Sequence, residues 1–294
     1  IEEKKIRTTD GFTLSVKCAG PADGQPILFL HGFPEFWYGW RKQIGYFAMK
    51  GYRVIVPDQR GYNDSDKPER VCDYSIVQLA EDVAAIVRQL KLDDCILVGH
   101  DWGAAAAWQA AIRHPSLFTR LVILNVPHPQ VFMRTVFTNP KQFLKSWYMY
   151  FFQLPVVPAW LASLDGYKRF ADGMRSTANE GSFTDEDMLA YIDAWQKPEA
   201  LDSMINWYRA AFRHPEFNGP SDVFVPTLVL WGEGDRFLEA SMAADSLHYC
   251  RTGRVKYFPR ATHWLQHDEP DAVNAEIEKF IKEQEVALID IVLR

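Results

Sequence analysis

Cysteine is scarce in this chain of 294 residues: Cys18, Cys72, Cys95 and Cys250 lie far apart, with no C-x-x-C spacing. That excludes a dense disulfide framework and points to a reduced, cytoplasmic setting. No stretch reaches the roughly 18 apolar residues that a membrane span needs. No secretory leader opens the chain, although a start at Ile1 leaves room for an upstream leader or anchor. Clustered positive charge is missing too. A net charge of −6 without any Lys/Arg-rich block argues against a nucleic-acid partner. His100, His114, His128, His214, His248 and His267 show no metal-ligand spacing, so no metal is expected. Gly232-Glu233-Gly234 lacks the third glycine of a dinucleotide fingerprint, so no dinucleotide cofactor is expected either. Internal repeats and low-complexity tracts are absent. What remains is a large α/β chain acting on a small molecule, with its oligomeric state open.

What the chain does contain is a rhythm. Apolar, β-rich runs recur at 27–30, 53–56, 95–98, 121–124, 227–231 and 255–258, several followed by helical periodicity. Strands alternating with helices imply a mostly parallel sheet covered on both faces, with functional residues at the carboxyl ends of its strands. His31, Asp58, Asp101, Asn125 and Asp235 each follow such a strand. The rhythm breaks at about 128–222, where aromatics and amphipathic helical patterns such as 140–153 and 184–196 replace strands. An insertion of that length is too long for a loop. The expected organisation is a core of 1–127 and 223–294 with a helical cap, 128–222, over the strand ends. The apolar tail 286–294 has no assigned place.

The most telling turn is Gly99-His100-Asp101-Trp102-Gly103, between a buried strand and an alanine-rich helix over 104–114. Strand, sharp turn and helix make a nucleophile elbow, whose small residues let position 101 adopt a strained conformation. Helix capping is the plain alternative role for Asp101. As a nucleophile, a carboxylate there attacks a saturated carbon and forms an alkyl ester that a second step hydrolyses. Serine at the same place would leave an unreactive ether.

Three further elements support the elbow. His31-Gly32-Phe33-Pro34 is a turn after a strand, and the backbone N–H groups of Phe33 and Trp102 are placed to form an oxyanion hole. Trp231-Gly232-Glu233-Gly234-Asp235 ends a strand in an acid, and Thr262-His263-Trp264 precedes a helix starting near Pro270. Asp101, Asp235 and His263 follow the chain order nucleophile, acid, histidine. Asp235 is preferred as the acid over Glu233, and the strand before it offers Asn125 rather than a carboxylate. His31 and His100 are expected at the pocket.

The motifs His31-Gly32-Phe33-Pro34-Glu35, Phe36-Trp37-Tyr38-Gly39-Trp40-Arg41, Asp58-Gln59-Arg60-Gly61-Tyr62, the elbow, and Thr262-His263-Trp264 resemble those of epoxide hydrolases of the α/β-hydrolase fold. The likeness runs from about residue 5 to about 283 and is nearest to the vertebrate type without a phosphatase domain. It departs at Asn63, where the Arg-Gly-Tyr-Gly pattern has glycine, and at Ala104. The resemblance implies that two cap tyrosines hold and protonate the epoxide oxygen. Ser146-Trp147-Tyr148 and Asn206-Trp207-Tyr208-Arg209 match the segments carrying them, which maps the pair to Tyr148 and Tyr208, with Tyr150 as the fallback for the first. It also implies a vicinal diol product and a pocket lined by His31, Pro34, Trp102 and Tyr150. A haloalkane dehalogenase shares Asp101, Trp102 and His263, but many carry Asn where this chain has Phe33. A non-catalytic ligand receptor on the same fold could dispense with any one of the triad.

Overall fold

The computed structural model describes residues 1–215 and 219–292, with side chains to 283. Its strands are β1 (Glu2–Arg7), β2 (Thr13–Ala19), β3 (Pro26–Leu30), β4 (Arg53–Pro57), β5 (Cys95–His100), β6 (Phe118–Leu124), β7 (Thr227–Gly232) and β8 (Gly253–Phe258). They form one sheet in the order β1-β2-β4-β3-β5-β6-β7-β8. From β4 to β8 all pairs are parallel, whereas β1 and β2 join antiparallel at one edge.

The central strands are apolar on both faces because helices cover both. Along β3, Leu28 and Leu30 pack into one core with helices α2 (Ile76–Gln89) and α3 (Trp102–Arg113). Ile27 and Phe29 face the other core, toward α1 (Arg41–Met49) and the final helix. This two-core alternation explains the near-continuous apolar runs in the sequence. The β1–β2 hairpin is an addition to the sequence reading. Its first strand, Glu2-Glu3-Lys4-Lys5-Ile6-Arg7, buries only Ile6, so it carries little hydrophobic signal.

Between β6 and β7 run α4 (Pro129–Thr138), α5 (Pro140–Lys145), α6 (Trp147–Phe151), α7 (Val157–Ser163), α8 (Lys168–Ser176), α9 (Asp185–Trp195) and α10 (Ala200–Arg213). The stretch 140–153, expected as one helical pattern, is two helices. Asn139 caps the first through Lys141 and Gln142 N–H groups, and the Ser146 N–H closes it onto the Gln142 and Phe143 carbonyls. Thr184 starts α9 in a full capping box with Asp187. The chain then returns through α11 (Ser241–Ser246), α12 (Leu265–Asp268) and α13 (Pro270–Val292). The side chains of the apolar tail 286–294 lie outside the described residues.

The inserted helices are fastened to the sheet by buried hydrogen bonds. Tyr191 Oη donates to Glu35 at 2.7 Å, Trp195 Nε1 to the Pro34 carbonyl at 2.6 Å, and Trp207 Nε1 to the Arg60 carbonyl at 2.9 Å. Arg41 and Tyr38 both reach Asp187. Cys18, Cys72, Cys95 and Cys250 are free thiols. Among the described residues no helix is long and apolar enough to cross a membrane.

Candidate active site

Asp101 stands between β5 and α3 with φ 49° and ψ −125°. Such a conformation costs about 1–3 kcal/mol in a non-glycine residue and persists only where its surroundings enforce it. The enforcement is visible: a Cβ on Gly103 would come 2.2 Å from the Leu30 carbonyl oxygen, so only glycine lets α3 start this close to β3. Gly32 is needed for the same kind of reason, since its Cβ would lie 2.4 Å from Asp101 Cβ. The capping alternative fails here. Asp101 occupies the N-cap position, but its side chain makes no capping bond; instead Oδ1 accepts the Phe33 N–H at 2.7 Å and Oδ2 lies 3.4 Å from His263 Nε2. Trp102 N–H, at the first position of α3, has no acceptor within its own helix.

His263 is oriented from behind. Its Nδ1 lies 2.7 Å from Asp235 Oδ2, and that carboxylate also accepts the N–H groups of Phe237 and Leu238 and the amide of Asn125. Burial by itself would depress the His263 pKa, but Asp235 and Asp101 together raise it to about 10. Burial would raise the Asp101 carboxyl, and the hydrogen bond and charge of His263 reverse this and lower it. The resting pair is therefore carboxylate and imidazolium.

Opposite Asp101 stand two tyrosines from the inserted helices. The ring of Tyr208, on α10, packs edge-on against Phe33 at 5.2 Å, whose N–H holds the Asp101 carboxylate, and against Trp102 at 4.9 Å, the residue that follows Asp101. Tyr148, on α6, lies 5.9 Å from Tyr208 and 5.7 Å from Phe237, which in turn is 5.2 Å from His263. Burial, then the charge of Asp101, lifts both phenols well above their usual pKa. Both are protonated at neutral pH, as donors to an oxygen beside Asp101 must be.

Residues 25–270 match the alpha/beta hydrolase fold family. Over 268 residues the chain is 40% identical to human Epoxide hydrolase 4, covering 89% of this chain and 74% of that protein. It is 41% identical to the AB hydrolase superfamily protein YfhM of Bacillus subtilis, covering 94% and 96%. The crystal structure of Bacillus megaterium epoxide hydrolase with an inhibitor superposes with a TM-score of 0.85 at 30% identity, covering 95% of this chain and 100% of that one. The chain belongs to the epoxide hydrolase family.

Within this family member the expected site residues divide. Asp101, Asp235, His263, Tyr148, Tyr208, Phe33 and Trp102 come together around one carboxylate. His31 does not line the pocket: it is fully buried, accepts the Gln59 N–H at Nε2, and bonds the Gly32 carbonyl through Nδ1. It shapes the turn rather than the cavity. Tyr150 also falls away, being 39% exposed and packed on Phe143 and Phe212. The break at Ser146 separates α6 from α5, and on that short helix Tyr148 faces inward while Tyr150 faces outward. Pro34 is buried beneath the Trp195 indole. Asp58 is structural, its carboxyl raised to about 6 by burial although it accepts from Trp37 N–H and Asn63 Nδ2. That contact accounts for Asn63, which takes φ 40° in place of glycine and supplies an amide.

Three contributors had no assigned role in the sequence. Asn125, at φ 52°, clamps the Asp235 loop by donating to Asp235 and accepting from Gly232 N–H at 2.8 Å. Glu35 is a buried carboxylate meeting His267 Nε2 at 2.7 Å and His100 Nδ1 at 3.2 Å, and His100 Nε2 donates to the His263 carbonyl. An acid inside an apolar motif was a signal for it. Phe237 carried none.

Proposed function

We propose that Asp101 is the nucleophile of a two-step hydrolysis of an apolar epoxide to a vicinal diol, in a core of 1–127 and 223–294 under a cap of 128–222. The observation that carries this reading is the pair of protonated phenols, Tyr148 and Tyr208, across from a strained carboxylate that is already ionised. Asp101 attacks an epoxide carbon, the carbon–oxygen bond opens, and a tyrosine gives its proton to the departing oxygen. The tyrosinate left behind is strongly basic because burial has raised its pKa, so it draws a proton from the site. Esterification removes one of the two carboxylates that held the proton on His263. The imidazolium then supplies that proton and becomes the neutral base that the second step requires.

In that step His263 takes a proton from water, and the hydroxide attacks the Asp101 ester carbon. The oxyanion sits against the N–H groups of Phe33 and Trp102. Collapse expels the diol oxygen, which takes the proton from His263; the carboxylic acid returns its own to the imidazole, restoring the starting pair. The apolar part of the substrate is assigned to a cavity that meets the site at Phe33. That cavity, of about 240 Å³, is walled by Phe33, Phe152, Pro158, Phe170, Leu201 and Ile205, and such walls select for hydrophobic bulk.

The test is turnover of styrene oxide with detection of the diol, beside halide release from 1-chlorohexane. Diol without halide supports the reading. Halide release without any diol transfers the site to dehalogenation.

A further inference from the structure

Acidic residues make up 38 of the 294 positions, yet none occurs between Trp102 and Leu164. Within that stretch α5, α6 and α7 carry large apolar side chains into solvent. Trp147 is 64% exposed, Val156 69% and Trp160 56%, with Phe137, Leu144 and Leu154 exposed around them. Ring contacts join α5, α6 and α10, as Phe143 meets Tyr150, Tyr150 meets Phe212 and Trp147 meets Phe151, and α7 adjoins α6 where Pro158 and Leu161 line one cavity with Phe151. Lone exposed apolar groups are ordinary, but a contiguous field of them marks an interaction surface.

We propose that this face docks on the surface of a bilayer containing anionic phospholipid. The charges around it carry the choice of occupant. Arg134, Lys141, Lys145, Lys168 and Arg169 stand in residues 129–169 against a single acid, Asp165, in a chain that is acidic overall. Several of these cations pair with acids, Arg134 with Asp245, Lys141 with Glu239 and Arg169 with Asp165. The pairs are solvent-exposed on the basic side and therefore weak, so phosphate can compete for them. Two exposed indoles beside aliphatic groups and a basic rim are the composition of a helix surface that lies in the headgroup layer. The face also shares a wall with the cavity: Leu161, 44% exposed, lines it together with Phe151 and Pro158. Docked here, the chain would meet an apolar substrate where such molecules concentrate.

The experiment is co-sedimentation with vesicles of phosphatidylcholine alone and of phosphatidylcholine mixed with phosphatidylserine, at low and high salt. Binding to the mixed vesicles is expected, weaker at high salt and weaker on phosphatidylcholine. Trp147→Ser combined with Trp160→Ser lowers the bound fraction on the order of tenfold, with the thermal midpoint and circular dichroism unchanged as the check on folding. The readout needs no substrate, so it stands or falls separately from the catalytic reading. Failure to sediment with mixed vesicles overturns the proposal, as does equal binding to both lipids or undiminished binding by the folded double variant. A dimer in light scattering that the double substitution dissolves, without vesicle binding, assigns the face to a second copy instead.

Discussion

At the strand ends every group proposed for catalysis is tied. Asp101 is fixed by a backbone N–H and an imidazole, His263 by Asp235, and Asp235 by two N–H groups and Asn125. Across the cleft, Tyr148 and Tyr208 are located by ring packing against Phe237, Phe33 and Trp102. The difference separates two tasks. Groups proposed to hold charge in a fixed geometry sit at the ends of the sheet strands, where a carboxylate elbow and an oriented histidine would support ester formation and hydrolysis for any departing group. In the same proposal, choice of that departing group belongs to the inserted helices, which present phenols that can protonate an oxygen. In the proposed mechanism the cap is thus the part that distinguishes an epoxide from a halide.

The contrast can be broken experimentally, first at its strongest point. His263→Gln should lower steady-state turnover by about 10³–10⁴-fold while ester formation continues, and intact-protein mass spectrometry should find the enzyme heavier by one substrate. An unmodified mass at saturating epoxide would deny His263 its place in the second step. Tyr208→Phe is expected to slow ester formation about 10²-fold in stopped-flow measurements, leaving the subsequent hydrolysis rate alone. Should both rates fall together, the tyrosine supports the site as a whole rather than the departing oxygen. Tyr148→Phe serves as its companion, and Tyr150→Phe, which alters an outward ring, as the control with wild-type rates.

Asn125→Ala leaves the Asp235 carboxylate without one donor, for which about tenfold slower ester hydrolysis is expected. Unaltered hydrolysis would show that the two backbone donors suffice. The smallest effect concerns pH. The His263 pKa is raised to about 10, so its ion-pair contribution to stability is complete below its ordinary value and is lost as pH rises through about 10. The Asp101 pKa is lowered, so its contribution is present above the ordinary carboxyl value and is lost as pH falls below it. Thermal midpoints followed from neutral to alkaline pH should fall less steeply for Asp101→Asn than for the wild type. Parallel curves would argue against the imidazolium–carboxylate pair.

The same division governs how far the sequence could be read. Strand ends announce themselves: an apolar run followed by glycine and a polar residue marked Asp101 and Asp235 as candidates, because both cores demand continuous hydrophobicity up to the turn, whereas His263 stood out only by its place in the loop after 255–258 and by chain order. The charged first strand escaped since an edge strand buries one side chain, Ile6. In the inserted helices, periodicity alone could not separate Tyr148 from Tyr150, two positions apart on a short helix whose start depends on where α5 ends. Only the family resemblance ranked them. His31 follows its strand as regularly as Asp101 does, yet its ring turns under the loop to Gln59, a tertiary contact that local pattern does not encode. Asn125 and Glu35 were visible as residues but not as partners, for the same reason.

The central claim is that an oxygen of Asp101 enters the product. A single turnover of excess enzyme with styrene oxide in oxygen-18 water, followed by mass analysis of the diol, tests it directly. Unlabelled diol is expected in that first turnover, with oxygen-18 in the Asp101 carboxylate recovered by proteolysis. Label in the first diol with none in Asp101 would mean that water opens the epoxide itself, and would contradict it.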